Sequence, residues 1–160
     1  MSDIVLRKFT EADIAPATVI MKAAFDEDSD LFRTVPDAPE GYDDGSFLRK
    51  FAVESGADSV CVLLDGVLAG AVIVFHNAED NSNFLGCIFL DPSLRGRGLG
   101  KEVWDLVEAR YPDVKIWRTE TPLCSRRNLN FYINKLGFMA YQIDDPMEYE
   151  SALVQLVKFR

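Results

Sequence analysis

Residues 95 to 101 read Arg-Gly-Arg-Gly-Leu-Gly-Lys, three glycines and three cationic side chains with no acid among them. Glycine carries no side chain to block a ligand, so successive backbone N–H groups of such a loop can converge on an anion. Arg95, Arg97 and Lys101 add positive charge at the same place. The apolar spacing from Leu99 onward predicts a helix whose positive end opens on the loop. The chemistry on offer is capture of a phosphate or pyrophosphate. Two familiar phosphate loops do not fit. A Walker loop needs Ser or Thr after Gly-Lys to hold magnesium, and here Glu102 follows Lys101. A dinucleotide fingerprint needs Gly-x-Gly-x-x-Gly early in a βαβ unit, whereas this loop is Gly-x-Gly-x-Gly in mid-chain.

Such a loop needs a strand to deliver it and a helix to receive it. The apolar run Phe84 to Leu90 supplies the strand, stopped by Asp91-Pro92, and Leu99, Val103, Leu106 and Val107 supply a buried helical stripe that ends at Tyr111-Pro112. Upstream, Ile4 to Phe9 reads as a strand, and Thr10 with Asp13 starts a helix whose stripe (Ile14, Ala17, Met21, Ala24, Phe25) lasts to about residue 25. An aperiodic stretch with Pro36, Pro39, Gly41 and Gly45 follows, read as loop with a helical turn near Leu31-Phe32, and then a helix over 46–55. Val60 to Leu64 and Val67 to Phe75 flank Asp65-Gly66, a strong hairpin signal. Downstream, Val114 to Glu120 forms a strand parallel to 84–90 after a right-handed crossover. A last helix starts at Ser125 or Arg126, carries Leu129, Tyr132, Ile133 and Leu136, and ends at Gly137; Phe138 to Ile143 and Ala152 to Phe159 make a final strand pair. The expected fold class is α+β, a single domain over 1–160.

Arg95-Gly96-Arg97-Gly98-Leu99-Gly100 between a strand and a helix resembles the acyl-CoA pyrophosphate signature of the GNAT N-acetyltransferase superfamily, Arg/Gln-x-x-Gly-x-Gly/Ala. The stretch Asn128 to Phe138 resembles that family's penultimate helix with its terminal Gly-Phe. The resemblance runs along nearly the whole chain. It implies a mixed, mostly antiparallel sheet of about seven strands with helices on both faces, and a splay between strands 84–90 and 114–120 that holds acyl-CoA. It implies acetyl transfer from acetyl-CoA, as co-substrate and without a metal, by direct attack of an amine. Pantetheine amides would pair with backbone at Phe89 and Leu90, where N–H groups also suit an oxyanion. Arg95, Gly96, Arg97, Gly98, Leu99, Gly100 and Lys101 would hold pyrophosphate, and Asn128 would hydrogen-bond CoA. Tyr132 is the implied general acid. It stands five steps before Gly137 where the family's commonest spacing is four, and a step turns a helix by about 100°, so a core position is the alternative. For the general base, Glu120 leads Asp91, Glu79, Asp80 and His76; relay through water needs no single base, and an ion pair with Arg118, Arg126 or Arg127 is the structural alternative for Glu120.

Composition bounds the rest. The chain has 160 residues, 48% of them hydrophobic, enough for one core. It contains no apolar run approaching the roughly 18 residues that span a bilayer, and the start MSDIVLRKFTEAD lacks a signal-peptide core. A cytoplasmic protein with no membrane partner is expected. Cys61, Cys87 and Cys124 have no metal-ligand spacing, and the odd number suits a reducing compartment. The net charge of −9 argues against nucleic-acid binding. Eight acids and one base fall in residues 26–46, where the resemblance places acceptor-binding segments. A small cationic amine is therefore the expected acceptor, attracted by the field, with a solvated acidic loop as the alternative. Acetylation of a peptide amine, and a non-catalytic acyl-CoA-binding module, are the other functions open. Apolar Leu153, Val154, Leu156 and Val157 fit either a buried strand or a homodimer contact.

Overall fold

A computed structural model describes residues 2–32 and 38–160. Its seven-stranded sheet comprises β1 (Ile4–Lys8), β2 (Asp58–Leu64), β3 (Val67–Asn77), β4 (Ser82–Leu90), β5 (Ile116–Pro122), β6 (Met139–Asp144) and β7 (Leu153–Phe159), in the spatial order β1-β2-β3-β4-β5-β7-β6. Every neighbouring pair is antiparallel except β4 with β5. The β2–β3 turn is made by Asp65 and Gly66, both at positive φ (50° and 82°), whose twist suits a two-residue hairpin. Among the described residues no helix is long and apolar enough to cross a membrane.

Alternating side chains send the sheet's two faces to different helices. On one face α1 (Ile14–Phe32) and α2 (Ser46–Leu48, continuing as a π-helix over Arg49–Glu54) bury Ala17, Met21 and Leu48 against Cys61, Ala71 and Ile73. On the other, α3 (Leu99–Ala109) and α4 (Arg126–Leu129, continuing as a π-helix over Asn130–Lys135) bury Trp104, Tyr132 and Leu136 against Val72, Trp117 and Leu156. The α1–α2 cluster draws on β2, β3 and β4 but on no residue of β5, β6 or β7.

Three local expectations need correction. The first helix continues past residue 25 to Phe32, so Asp26, Glu27 and Asp28 sit on a helix and not in a loop; Arg33, Pro36 and Asp37 lie outside the described residues. Leu106 is 39% exposed while Trp104 is fully buried. These two flank opposite sides of the α3 stripe, and the larger ring takes the core side. Ile133 is 36% exposed, because the π-helical turn, with Leu136 N–H donating to Phe131 O at 3.0 Å, rotates it off the packed face.

The feature that makes a site is the fork between β4 and β5. Their parallel pairing covers only Ser82↔Ile116, Asn83↔Trp117 and Phe84↔Arg118. Immediately afterwards the β3–β4 register slips, Ile73 facing Cys87 and Val74 facing Leu85, which leaves Gly86 as a bulge. A bulge bends its strand, and glycine is required here because a Cβ would lie 2.5 Å from the Phe75 ring. Thr119 Oγ1 donates to Leu85 O at 2.8 Å, a side-chain tie at the point where backbone pairing stops.

Candidate active site

Beyond the fork lies a cavity of about 780 Å³. Four elements wall it: the end of β4 (Ile88 to Asp91), the glycine loop with the start of α3, one face of α4, and Ala24, Phe25 and Asp28 of α1. Of the residues expected from sequence, Phe89, Leu90, Arg95, Gly96, Gly98, Leu99, Gly100, Lys101, Asn128 and Tyr132 all line it. From Leu85 onward β4 pairs only with β3, so its edge toward the cavity keeps backbone groups available to a ligand with amides.

The three loop glycines differ in what they do. Gly96 and Gly98 adopt φ of 77° and 73° with no atom within 4 Å of where a Cβ would stand. They combine a left-handed backbone with open space, and Gly98 caps α3. At Gly100 a Cβ would meet the Phe131 ring at 2.9 Å, so that glycine lets α4 pack on α3. The cations differ likewise. Arg95 lines the cavity and its Nε stands 3.0 Å from Glu27 Oε2. Lys101 lines it too and pairs with Asp105 at 2.6 Å. Arg97 is not part of the cavity wall; its Nη2 donates to Ser2 Oγ at 3.0 Å. Its place in the loop points it outward, against the expectation that it lies with the other two.

Tyr132 reconciles its two readings. The π-helical segment of α4 absorbs one extra residue, so the phenol reaches the cavity wall despite the longer spacing to Gly137. It is also part of the core, 7% exposed and packed edge-on to Phe138 at 5.8 Å. Burial, chiefly, raises its pKa, with Cys87 adding to the effect and Thr119 opposing it. The proton therefore stays on the phenol at neutral pH. Asn128 Nδ2 donates to Thr121 Oγ1 at 3.2 Å and lines the cavity.

Glu120 lies outside this cavity wall. Along β5, Trp117, Thr119 and Thr121 are buried toward α3 and α4, while Glu120 is exposed on the opposite face. Its Oε2 accepts from Gln155 Nε2 at 2.9 Å, and the same amide donates to Asp144 Oδ2 at 2.9 Å. Asp91 lines the cavity but its carboxylate accepts from Ser93 N–H at 2.9 Å, a turn cap. His76, Glu79 and Asp80 sit at the opposite end of β4 from the loop, where His76 Nδ1 meets Asn83 Oδ1 at 2.7 Å and Asp80 accepts from Ser82. Sequence reasoning missed Phe131, Arg127 and Lys135, which line the cavity. Their spacing of four along one helix, in register with each other, was the available signal. It also missed Asp28, one turn beyond the apolar stripe at Phe25.

Charge and shape together suit a long ligand with phosphates at one end. Arg95 and Lys101 flank the open glycines in the chain and line the cavity with Arg127 and Lys135, and the apolar Phe25, Phe89 and Phe131 line it as well.

A family model described as "Acetyltransferase (GNAT) family" matches residues 21–138. Among solved structures, the PaiA N-acetyltransferase of Thermoplasma acidophilum in complex with coenzyme A superposes with a TM-score of 0.79 at 17% identity, covering 99% of each chain. An acetyltransferase of Thermus thermophilus gives 0.76 at 14% identity, covering 98% of this chain and 97% of that one. The uncharacterized protein YrkN of Bacillus subtilis (strain 168) is 40% identical over 83 residues, which are 52% of this chain and 45% of that protein. The match thus spans about half the length of that curated relative.

Proposed function

From a chain that belongs to the GNAT acetyltransferase family, we propose an enzyme that moves an acetyl group from acetyl-CoA to the amine of a small cationic acceptor by direct attack. The observation that carries this reading is the fork: β4 and β5 part beyond Phe84 and Arg118 onto a cavity whose phosphate end is lined by Gly96, Gly98, Arg95 and Lys101. Acetyl-CoA bound there supplies the activated acetyl group. Loop N–H groups and the start of α3 hold its diphosphate, backbone at Phe89 and Leu90 pairs with its pantetheine amides, and Asn128 adds a side-chain contact.

Tyr132 donates a proton to the departing sulfur, for which a phenol kept neutral by burial is suited. Glu120 takes a proton from the acceptor, directly or through water. Its position favours this, because it projects from the sheet face opposite α3 and α4, on a part of the sheet that the α1–α2 cluster leaves uncovered. Gln155 fixes the carboxylate with an N–H donor. The net charge of −9 favours a cationic acceptor through field steering, an effect that weakens with salt.

Calorimetric titration with acetyl-CoA, followed by turnover across a panel of polyamines, aminoglycosides and basic peptides, tests the proposal. Micromolar binding with turnover on at least one cationic amine is expected, its KM rising with ionic strength. Binding without turnover on any amine would point to an acyl-CoA sensor, and no binding by the folded protein would refute the reading.

A further inference from the structure

Two ion pairs stand at the rim of the cavity, and the proposed reaction makes no use of their acids. Glu27 Oε2 is 3.0 Å from Arg95 Nε, and Asp28 Oδ1 is 3.4 Å from Arg127 Nη1. The acids are neighbours on α1; the bases belong to the glycine loop and to the first turn of α4. Both arginines line the cavity. Glu27 Oε2, Asp28 Oδ1 and Arg127 Nη1 are each shielded from water, while the four side chains as wholes are 20–39% exposed, so solvent screens these pairs only in part. Ser125 Oγ donates to Asp28 Oδ2 at 3.3 Å and so fixes that carboxylate in turn.

The atoms used are informative. A guanidinium presents five N–H donors in a rigid fork. Glu27 Oε2 approaches Arg95 at Nε as an ion pair without hydrogen-bond alignment, on the side away from the terminal Nη groups. Asp28 takes one Nη of Arg127. An arginine paired in this way has lost part of its rotamer freedom before a phosphate arrives, and that part of the ordering no longer opposes binding. We propose that Glu27 and Asp28 are positioning residues for co-substrate recognition, holding Arg95 and Arg127 oriented for the phosphates of CoA. This rests on the CoA reading above.

The proposal makes a prediction of unusual sign. By field alone, removing a carboxylate beside a polyanion site tightens the polyanion. Removing a carboxylate that orients the anion's arginine weakens it. Calorimetric titration of Glu27→Gln and Asp28→Asn with CoA and with pantetheine, which has no phosphate, separates the two. CoA affinity is expected to fall about fivefold in each variant, pantetheine affinity to stay within about twofold, and Glu27→Gln to add nothing in an Arg95→Ala background. Arg95→Lys, whose ammonium lacks the fork, is expected to lose CoA affinity as Glu27→Gln does. Tighter CoA binding in the carboxamide variants would overturn the proposal. So would an equal loss for pantetheine, which would mark a purely structural role for α1. Failure of the wild type to bind CoA would overturn the acetyltransferase reading itself and this inference with it, whereas CoA binding indifferent to Glu27 and Asp28 would overturn this inference alone.

Discussion

Between Ser82–Phe84 and Ile116–Arg118 the two central strands are hydrogen-bonded and their side chains close-packed. Trp117 is fully buried there, edge-on to Trp104 at 4.9 Å and to Tyr111 at 5.5 Å, and Tyr111 in turn donates to Asp58. A few residues further along the same strands, beyond the Gly86 bulge and the Thr119–Leu85 tie, packing gives way to a cavity of about 780 Å³. The paired end specifies the fold and the parted end forgoes backbone pairing. Unpaired backbone is costly when buried, and here it is tolerable because it faces an open cavity where a ligand or water can satisfy it. One strand pair thus serves as core at one end and as site at the other, so substitutions at the two ends should have separable effects.

The largest effect is expected at the paired end. Trp117→Ala removes a fully buried indole and should cost about 3–5 kcal/mol, a large share of the roughly 5–15 kcal/mol typical of a domain. Urea unfolding measures it, and loss of ligand binding should follow the loss of fold. At the parted end, Gly98→Asp puts a carboxylate where nothing stands within 4 Å. The residue is at φ 73°, which costs about 1 kcal/mol for a non-glycine residue, while CoA affinity should fall about 100-fold through charge repulsion and blocked approach. If instead Gly98→Asp unfolds the protein, or Trp117→Ala spares its stability, the separation of the two ends is wrong.

Much of the sheet was legible in the sequence, because it depends on local signals: apolar, β-branched runs, the Asp65-Gly66 turn, the stop at Asp91-Pro92. The glycine loop was legible as an anion site because composition alone carries that chemistry. The fork was expected only through the family resemblance, which implied a splay between strands 84–90 and 114–120; no local signal marks it. Gly86 lies in an apolar run like any strand residue, and only the register against β3 makes it a bulge. Charge alone does not tell Arg95 from Arg97, two residues apart; the family signature specifies only Arg95, and the structural difference lies in which one faces α1. The anomalous spacing of Tyr132 was visible, but its resolution by a π-helical turn required the hydrogen bonds of α4. The ion pairs of Glu27 and Asp28 join residues far apart in the chain, which no periodicity reports.

Tyr132 belongs to both ends, since it packs on Phe138 and faces the cavity. Tyr132→Phe keeps the ring and removes the hydroxyl. Stability and acetyl-CoA KM should hold, while kcat should fall about tenfold, below the usual range for a general acid because a thiolate leaves readily. Burial raises the phenol's pKa above its ordinary value of about 10. The proton-bearing form therefore persists as pH rises, and no loss of kcat from this group is expected below about pH 10. A wild-type alkaline decline near pH 8 that disappears in Tyr132→Phe would show the phenol ionising early and remove it from the acid role.

The smallest effect sharpens the comparison within the loop itself. Arg97 carries the same charge as Arg95 and is two residues away, so a model in which net positive charge holds the phosphates predicts equal losses on truncation. The structure predicts unequal ones. Arg97 donates to Ser2 and leaves the cavity wall, whereas Arg95 lines it with Glu27 holding its Nε. Arg97→Ala should change CoA affinity by less than about twofold, a long-range term that vanishes near 0.5 M salt, where the Debye length falls to a few ångströms. Arg95→Ala should cost about fivefold to tenfold and keep most of that loss in salt, since a direct charge-assisted contact is screened less than a distant one. Equal losses for both, disappearing together in salt, would mean that the loop acts as a diffuse positive patch, and the two arginines would then not be distinguished by the fork.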